Sequence, residues 1–214
     1  MSLLNTFMKK IITGIGLFII TIINSGCPKA CIEANYSFAV NAQIIPDIDS
    51  LHVGDTIFLT STFPIRLNNL ASNDTIDYSN STNIGSTIGI VKLTNNIFPG
   101  QDAVSNFNFV NVAGTVYNDN TIPNPNKVQG LTYFENNGFY KLKIGIIPKQ
   151  TGVYYLGVGN GLSNGRKNNH SCEKAGFSIT LNNTNQHLNY FSDWNPNVNL
   201  SSYEQTRAYF LKVY

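Results

Sequence analysis

Residues 130–158 read GLTYFENNGFYKLKIGIIPKQTGVYYLGV, and this stretch decides the fold. Leu131–Glu135 has the composition of a strand, Asn136-Asn137-Gly138 is a turn whose residues tolerate positive φ, and Phe139–Ile147 is a second strand. Tyr140, Leu142, Ile144 and Ile146 alternate with residues that include Lys141 and Lys143, so one face of that strand is expected to lie in a core. Pro148-Lys149-Gln150-Thr151-Gly152 then turns the chain into a third strand, Val153–Val158.

Working outward, the same period of two recurs. Tyr36, Phe38, Val40, Ala42 and Ile44 alternate with Asn35, Ser37, Asn41 and Gln43 until Pro46. Ile48–Val53 and the turn Gly54-Asp55 precede a strand over Thr56–Phe63 that Pro64 ends. Arg66–Asn83 reads as a polar loop with a short strand near Thr75–Tyr78. Thr87–Leu93 is a strand broken by Asn95-Asn96 and Pro99-Gly100, Ser105–Val112 is another that runs on toward Tyr117, and Asn118–Lys127 is a loop. Downstream, Gly159–Lys174 is a Gly/Asn-rich loop and Ala175–Leu181 a strand. Ser201-x-x-Glu204 is a capping-box pattern that predicts a short helix over Tyr203–Arg207, before a closing strand Ala208–Val213. Short strands with turn signals and almost no helical periodicity predict an all-β sandwich.

Two stretches resemble immunoglobulin-like domains. DSLHVGDTIFLTSTF, residues 49–63, resembles the early strands of immunoglobulin-like bacterial domains, and YKLKIGIIPKQTGVYYLGV, residues 140–158, the late hairpin of such sandwiches. The resemblance implies an immunoglobulin-like antiparallel β-sandwich over residues 34–214, with at most one short C-terminal helix.

The start of the chain has a different character. Met8–Cys27, MKKIITGIGLFIITIINSGC, carries Lys9 and Lys10, an apolar run Ile11–Ile23 and a small-residue exit, the layout of a secretory signal peptide. Asn24-Ser25-Gly26-Cys27 resembles the lipobox of bacterial lipoproteins, departing from it at Asn24, where that family favours an aliphatic residue. The resemblance implies a signal peptide over residues 1–26, a lipid on Cys27, a tether over 27–33, and a membrane-anchored protein facing the periplasm or on the bacterial cell surface. Cleavage by an ordinary signal peptidase, leaving Cys27 a plain thiol, is the rival reading. A membrane-spanning anchor needs about 20 apolar residues, more than this run has. Either Met1 or Met8 suits as the start.

Composition narrows the partners. Charged residues are 12% of the 214-residue chain and the formal net charge is +2, with neither a basic stripe nor an acidic tail, which argues against nucleic acid. An apolar content of 42% suits a folded core. With Cys27 assigned to the lipid, Cys31 and Cys172 form an even pair in an exported, oxidising compartment and are expected to be disulfide-bonded; two unrelated thiols are the alternative.

The chemistry-bearing motifs are weaker than their plain readings. Gly161-Leu162-Ser163-Asn164-Gly165 spells the nucleophile-elbow motif, but the helix it requires does not follow, and the segment reads as a loop. His52, His170 and His187 stand singly, without metal-ligand spacing, and are expected at the surface. Asp47-x-Asp49, Asp74 with Asp77, and Asn118-Asp119-Asn120 have oxygen ligands for calcium but match no ligand loop, and turn formation accounts for them. No metal or cofactor is expected. Asp49-Ser50-Leu51, Asp55-Thr56-Ile57 and Asp74-Thr75-Ile76 resemble the acceptor triplets of some bacterial O-glycosylation systems, which makes Ser50, Thr56 and Thr75 candidate acceptors; Asp55-Thr56-Ile57 also suits a turn that opens a strand. Sequons such as those at Asn35, Asn73 and Asn169 are expected by chance in so Asn-rich a chain. Tyr133, Tyr154, Tyr155, Tyr190 and Trp194 are candidates for a sugar-binding face, though aromatic residues in strands first of all serve packing. Trp194, beyond the last well-defined strand, is the candidate ligand contact. The expected function is a non-enzymatic binding or interaction module of the cell envelope, its partner an envelope protein or a glycan. The alternatives are a structural accessory subunit of an envelope assembly and a hydrolase built from distant residues.

Overall fold

A computed structural model describes residues 34–94, 97–118, 124, 126–167, 172–194, 196 and 199–214, all within one compact unit, Glu33–Tyr214. The leader, the lipobox and Cys31 lie outside the described residues. In chain order the strands are β1 (Ala34–Ile45), β2 (Ser50–Leu51), β3 (Ile57–Pro64), β4 (Arg66–Asn68), β5 (Thr75–Asp77), β6 (Gly85–Thr94), β7 (Ile97–Asp102), β8 (Phe107–Ala113) and β9 (Thr115–Tyr117). They continue with β10 (Val128–Thr132), β11 (Phe134–Asn136), β12 (Phe139–Pro148), β13 (Gly152–Val158), β14 (Gly161–Ser163) and β15 (Glu173–Leu181). Two short helices, α1 (Asn189–Trp194) and α2 (Ser202–Gln205), precede β16 (Ala208–Val213). The C-terminal segment thus has two helices where one at most was expected.

The hairpin that the sequence marks is present. Asn137 and Gly138 take φ of 50° and 76°, the left-handed pair that a tight turn between right-twisted strands demands. β12 pairs antiparallel with β3 on one edge and with β8 and β11 on the other. The second sheet is built on β6, which pairs with β13, β14, β10 and β7; β13 continues to β16, and β14 to β15. β1 belongs to both sheets: residues 34–42 run parallel to β15, and Gln43–Ile45 cross to pair with β3. The all-β sandwich is as expected; β1–β15 and β16–β2 pair in parallel, where an antiparallel arrangement was expected.

Alternation places the core. Ile88 and Ile90 of β6, Leu142, Ile144 and Ile146 of β12, Leu156 of β13, Phe177 and Ile179 of β15, and Tyr209 and Leu211 of β16 are buried between the sheets. Fully burying one such side chain contributes about 1.5–3 kcal/mol. Several elements depart from expectation. β7 runs through Pro99 and Gly100, which read as a break; among the described residues it pairs with β6 alone, and such an edge tolerates a proline that cannot donate to a ladder. In the polar segment after β3 the short strand expected near Thr75–Tyr78 is present as β5, and it pairs with an unexpected strand, β4. The Gly/Asn-rich stretch after β13 contributes β14. The strand expected at Leu131–Glu135 is divided into β10 and β11, and the stretch before Gly54 contributes the two-residue β2.

Candidate functional site

Gly161-x-Ser163-x-Gly165 lies where β14 ends, and among the described residues no helix follows it before β15. Ser163 is 3% exposed, and its hydroxyl is joined to Ser81 Oγ at 2.6 Å, Tyr78 Oη at 3.0 Å and the Gly165 carbonyl at 3.1 Å. Tyr78 Oη also donates to the Glu173 carbonyl at 2.7 Å, and Arg166 Nη1 pairs with Glu173 Oε2 at 2.7 Å. This is a buried polar brace that fastens the segment after β5 to the ends of β14 and β15.

Of the histidines, His52 is exposed as expected, while His170 lies outside the described residues. His187 corrects the expectation of a surface position. It is 7% exposed, packs edge-on against Tyr209 at 5.2 Å, and sets Nε2 3.5 Å from Asp47 Oδ1. The signal missed was tertiary: the loop before α1 folds back over β16.

The carboxylates act in local turns. Asp55 Oδ2 accepts from His52 N at 2.8 Å, and Asp77 Oδ1 accepts from Ser79 N at 3.1 Å. The Ser79 hydrogen bonds, helped by Arg166 and Arg66, hold the Asp77 carboxyl below its ordinary value. Among the described residues no group of three or more His, Cys, Asp and Glu side chains is arranged to hold a metal.

The candidate acceptors fall at separate places. Thr75 is exposed in β5, Thr56 is exposed and directly precedes β3, and Ser50 is half-buried in β2 with its hydroxyl donating to Asp49 Oδ1 at 2.9 Å. Cys172 is disulfide-bonded, and its expected partner Cys31 lies outside the described residues. The five aromatic candidates share no face. Tyr133 and Tyr154 are buried between the sheets, where burial pushes the Tyr133 phenol up to about 12; Tyr155, Tyr190 and Trp194 pack on the opposite, outer side of the β6 sheet.

That outer side holds a cleft with a largely apolar lining. The residues of β6, β13 and β16 that face away from the main core include Leu93, Tyr155, Ala208 and Phe210, and α1 covers them with Phe191. Phe191 sits 5.8 Å from Phe210 and 6.0 Å from Trp194, centroid to centroid, and Tyr155 sits 5.3 Å from Phe210. At the other end α2 is held by a complete capping box: Ser201 Oγ accepts from Glu204 N at 3.2 Å, and Glu204 Oε2 accepts from Ser201 N at 2.9 Å.

Between them the sheet carries small residues, with the Tyr155 ring lying beside Gly157. Register places Ala208 opposite Gly157, Gly157 opposite Gly89, and Gly89 opposite Val128, so a row across β16, β13, β6 and β10 presents nothing larger than a methyl until Val128. The next row, Phe210–Tyr155–Val91, forms a wall. A Cβ added at Gly89 would meet only the Lys127 carbonyl and Val128 Cγ1, each at 3.4 Å, so this position is open to the cleft. The resulting space is about 410 Å³, within the range of small-molecule sites; besides these residues, Phe191, Leu200, Lys127, Asp102, Glu204 and Arg207 line it. Arg207 is 5% exposed, and its Nη2 donates to Ser178 Oγ at 3.2 Å.

Sequence reading thus found Trp194 one layer away from the cleft, stacked on its wall, and missed Gly89, Gly157 and Arg207. Glycines inside strand patterns were the available signal, since they mark places where another group approaches the backbone closely.

Compared with protein-family models and with curated proteins, the chain matches none. Among solved structures it is similar to the Reelin-N domain of F-spondin, at 9% identity over 85% of this chain and 92% of that one, with a TM-score of 0.34. It is also similar to the human F-spondin reeler domain, at 8% identity over 88% and 100%, with a TM-score of 0.35. A third is the second type II cohesin module from the adaptor ScaA scaffoldin of Acetivibrio cellulolyticus, at 11% identity over 56% and 70%, with a TM-score of 0.26.

Proposed function

We propose that this chain is an exported, non-enzymatic binding module that takes a small, largely apolar ligand into the cleft between the β6–β13–β16 face and the C-terminal helices. The observation that carries this reading is the cleft of about 410 Å³ over Gly89 and Gly157, walled by Tyr155 and Phe210 and lined by Phe191. A sheet face that served only to seat α1 and α2 would gain from a side chain at Gly89, where an added Cβ would meet nothing nearer than 3.4 Å, because strand glycines cost stability and bury no surface of their own. Fluorescence titration with the neutral apolar probe N-phenyl-1-naphthylamine tests it. Saturable binding of one probe per chain is expected, lost in Gly89→Leu at an unchanged melting temperature. Equal binding by the wild type and Gly89→Leu would refute the cleft as the site.

The module is proposed to be membrane-anchored through a lipid on Cys27, a reading that rests on the lipobox-like Asn24-Ser25-Gly26-Cys27. Stable anchoring takes more than one acyl chain, so the wild type should fractionate with membranes and Cys27→Ser should not; a membrane-bound Cys27→Ser variant would end this part. Cys31–Cys172 is the proposed disulfide. The parallel register Ala34↔Glu173 supports it, since it brings the start of β1 beside the residue after Cys172. Peptide mapping without reduction should recover the linked pair. Thr75 is the proposed glycosylation position, and an intact mass free of sugar additions in the native host would remove it.

A further inference from the structure

We infer that the outer edge of β8 pairs with the β8 of a second copy of this chain, antiparallel about a two-fold axis at Phe109, so that the sheet of β12 and β8 runs on through both molecules. The inference is independent of the cleft and its ligand.

The main chain of β8 is open on one side. Lys149 N donates to the Asn106 carbonyl at 2.8 Å, and β12 then sets Ile147 against Asn108 and Gly145 against Val110. Alternation in an antiparallel ladder turns the N–H and C=O groups of Asn108 and Val110 toward β12, and those of Phe107, Phe109 and Asn111 away from it. Of that outward set, Phe107 N donates to the Val104 carbonyl. The Phe107 carbonyl, and the N–H and C=O groups of Phe109 and Asn111, have no hydrogen-bond partner among the described residues. A register shift that leaves Val112 without a partner on β12 closes the open stretch.

An edge of this kind is a template for another strand, and natural edges are blunted against it by charge, proline or brevity. Other edge strands of the molecule carry those devices. β7 contains Pro99 and Asp102, β11 is three residues long and contains Glu135, and β2 is two residues long. β8 reads FNFVNVA, without a charge or a proline, and it leaves Val110 46% and Val112 54% exposed.

The pattern of open groups fits a copy of the same strand. A two-fold axis at Phe109 sets Phe109 against Phe109, Phe107 against Asn111 and Asn108 against Val110. The N–H and C=O of each Phe109 then bond their symmetry mates, and each Asn111 N–H meets a Phe107 carbonyl. Every outward donor of the stretch finds an acceptor, and the donor this register would leave facing Asn111, Phe107 N, is the one already bonded within its own chain. With no charge on the strand, the symmetry places no like charges opposite one another. Main-chain hydrogen bonds carry the affinity in strand addition, and the contact is small, so the dimer forms reversibly with concentration.

Asn108 and Val110 are exposed and stand opposite each other in this register, so charges placed there read the pairing. In sedimentation velocity over about a hundredfold range of concentration, the mass of the purified wild-type chain is expected to rise from one copy to two. Asn108→Lys combined with Val110→Lys sets lysine against lysine at both symmetry-related places and is expected to weaken the dimer roughly two- to thirtyfold. Asn108→Lys combined with Val110→Glu sets opposite charges together and is expected to dimerise at least as tightly as the wild type. Amide exchange at Phe109 and Asn111 is expected to be slower in concentrated than in dilute wild-type protein. A wild type that stays monomeric overturns the inference and leaves the edge to an extended segment of another protein. A dimer of equal strength in all three proteins, or one with unchanged exchange at Phe109 and Asn111, overturns it by placing the interface elsewhere. Should the paired lysines prevent folding, the lysine–glutamate variant and the exchange of the wild type still decide.

Discussion

Replacing Phe191 with alanine should release the C-terminal roof without unfolding the sandwich. Phe191 is 4% exposed and is the one buried residue of α1, where it packs on Phe210 and Trp194. Truncating a buried phenylalanine to alanine costs about 3–5 kcal/mol. α1 is six residues long, far below the length at which a helix holds itself in water, so its order depends on this packing. A loss of that size exceeds what is left to hold the segment down, and the cheaper response is local release.

If the whole cost fell on global unfolding, the melting temperature would drop by roughly 6–20 °C, at about 2–4 °C per kcal/mol for a domain of this size. Local release predicts a smaller drop, under about 6 °C by the same scale, because Phe210 and Leu93 lose their cover but the main core does not change. The chain has a single tryptophan, Trp194, so its emission reports this segment alone. Emission in Phe191→Ala should shift to the red, and acrylamide quenching should rise, well below the melting transition. A large drop in melting temperature, with Trp194 emission unchanged until global unfolding, would refute the reasoning and make the segment an integral part of the core.

Further outcomes follow from the same contacts. Tyr78→Phe removes the phenol that donates to the Glu173 carbonyl at 2.7 Å and joins Ser163, leaving buried partners unsatisfied; urea unfolding should show a loss of about 1–3 kcal/mol. Ser201→Ala removes the side-chain arm of the capping box and the Ser201 Oγ–Glu204 Oε2 hydrogen bond, at about 1 kcal/mol, and should raise amide exchange in α2 with little change in the melting temperature. Burial raises the phenols of Tyr133, Tyr140, Tyr154 and Tyr209, that of Tyr133 to about 12. Because the folded state favours the neutral form, the stability this contributes is complete below the unfolded tyrosine value of about 10 and is lost as pH rises through about 12. Tyrosinate absorbance should therefore appear together with loss of strand circular dichroism, and free titration of every tyrosine near pH 10 in the folded protein would contradict this.

How much of this was legible in the sequence depended on whether the deciding contact was local. The hairpin over 130–158 was legible because turn chemistry and alternation agree there: Asn137 and Gly138 take the positive φ expected, and Leu142, Ile144 and Ile146 face the core. The capping box at Ser201 was legible for the same reason. β7 was hidden because Pro99 and Gly100 signal a break, and only its place beside β6 alone makes them tolerable. His187 looked like a surface residue because nothing near it in sequence tells that Tyr209 and Asp47 come to it. The cleft was hidden most deeply. Gly89 and Gly157 stand in separate segments, and each is unremarked alone; the register of β6 and β13 is what brings them together in the floor.

That floor is the central claim, and its backbone amides report on it directly. Nuclear magnetic resonance of isotopically labelled protein, titrated with N-phenyl-1-naphthylamine, should show its largest amide shifts at Gly89, Gly157 and Gly159, with smaller ones at Phe191 and Arg207. Shifts confined to another surface, such as the polar cleft at Asn41, Gln43 and Thr60–Thr62, or no shifts at all, would contradict the account.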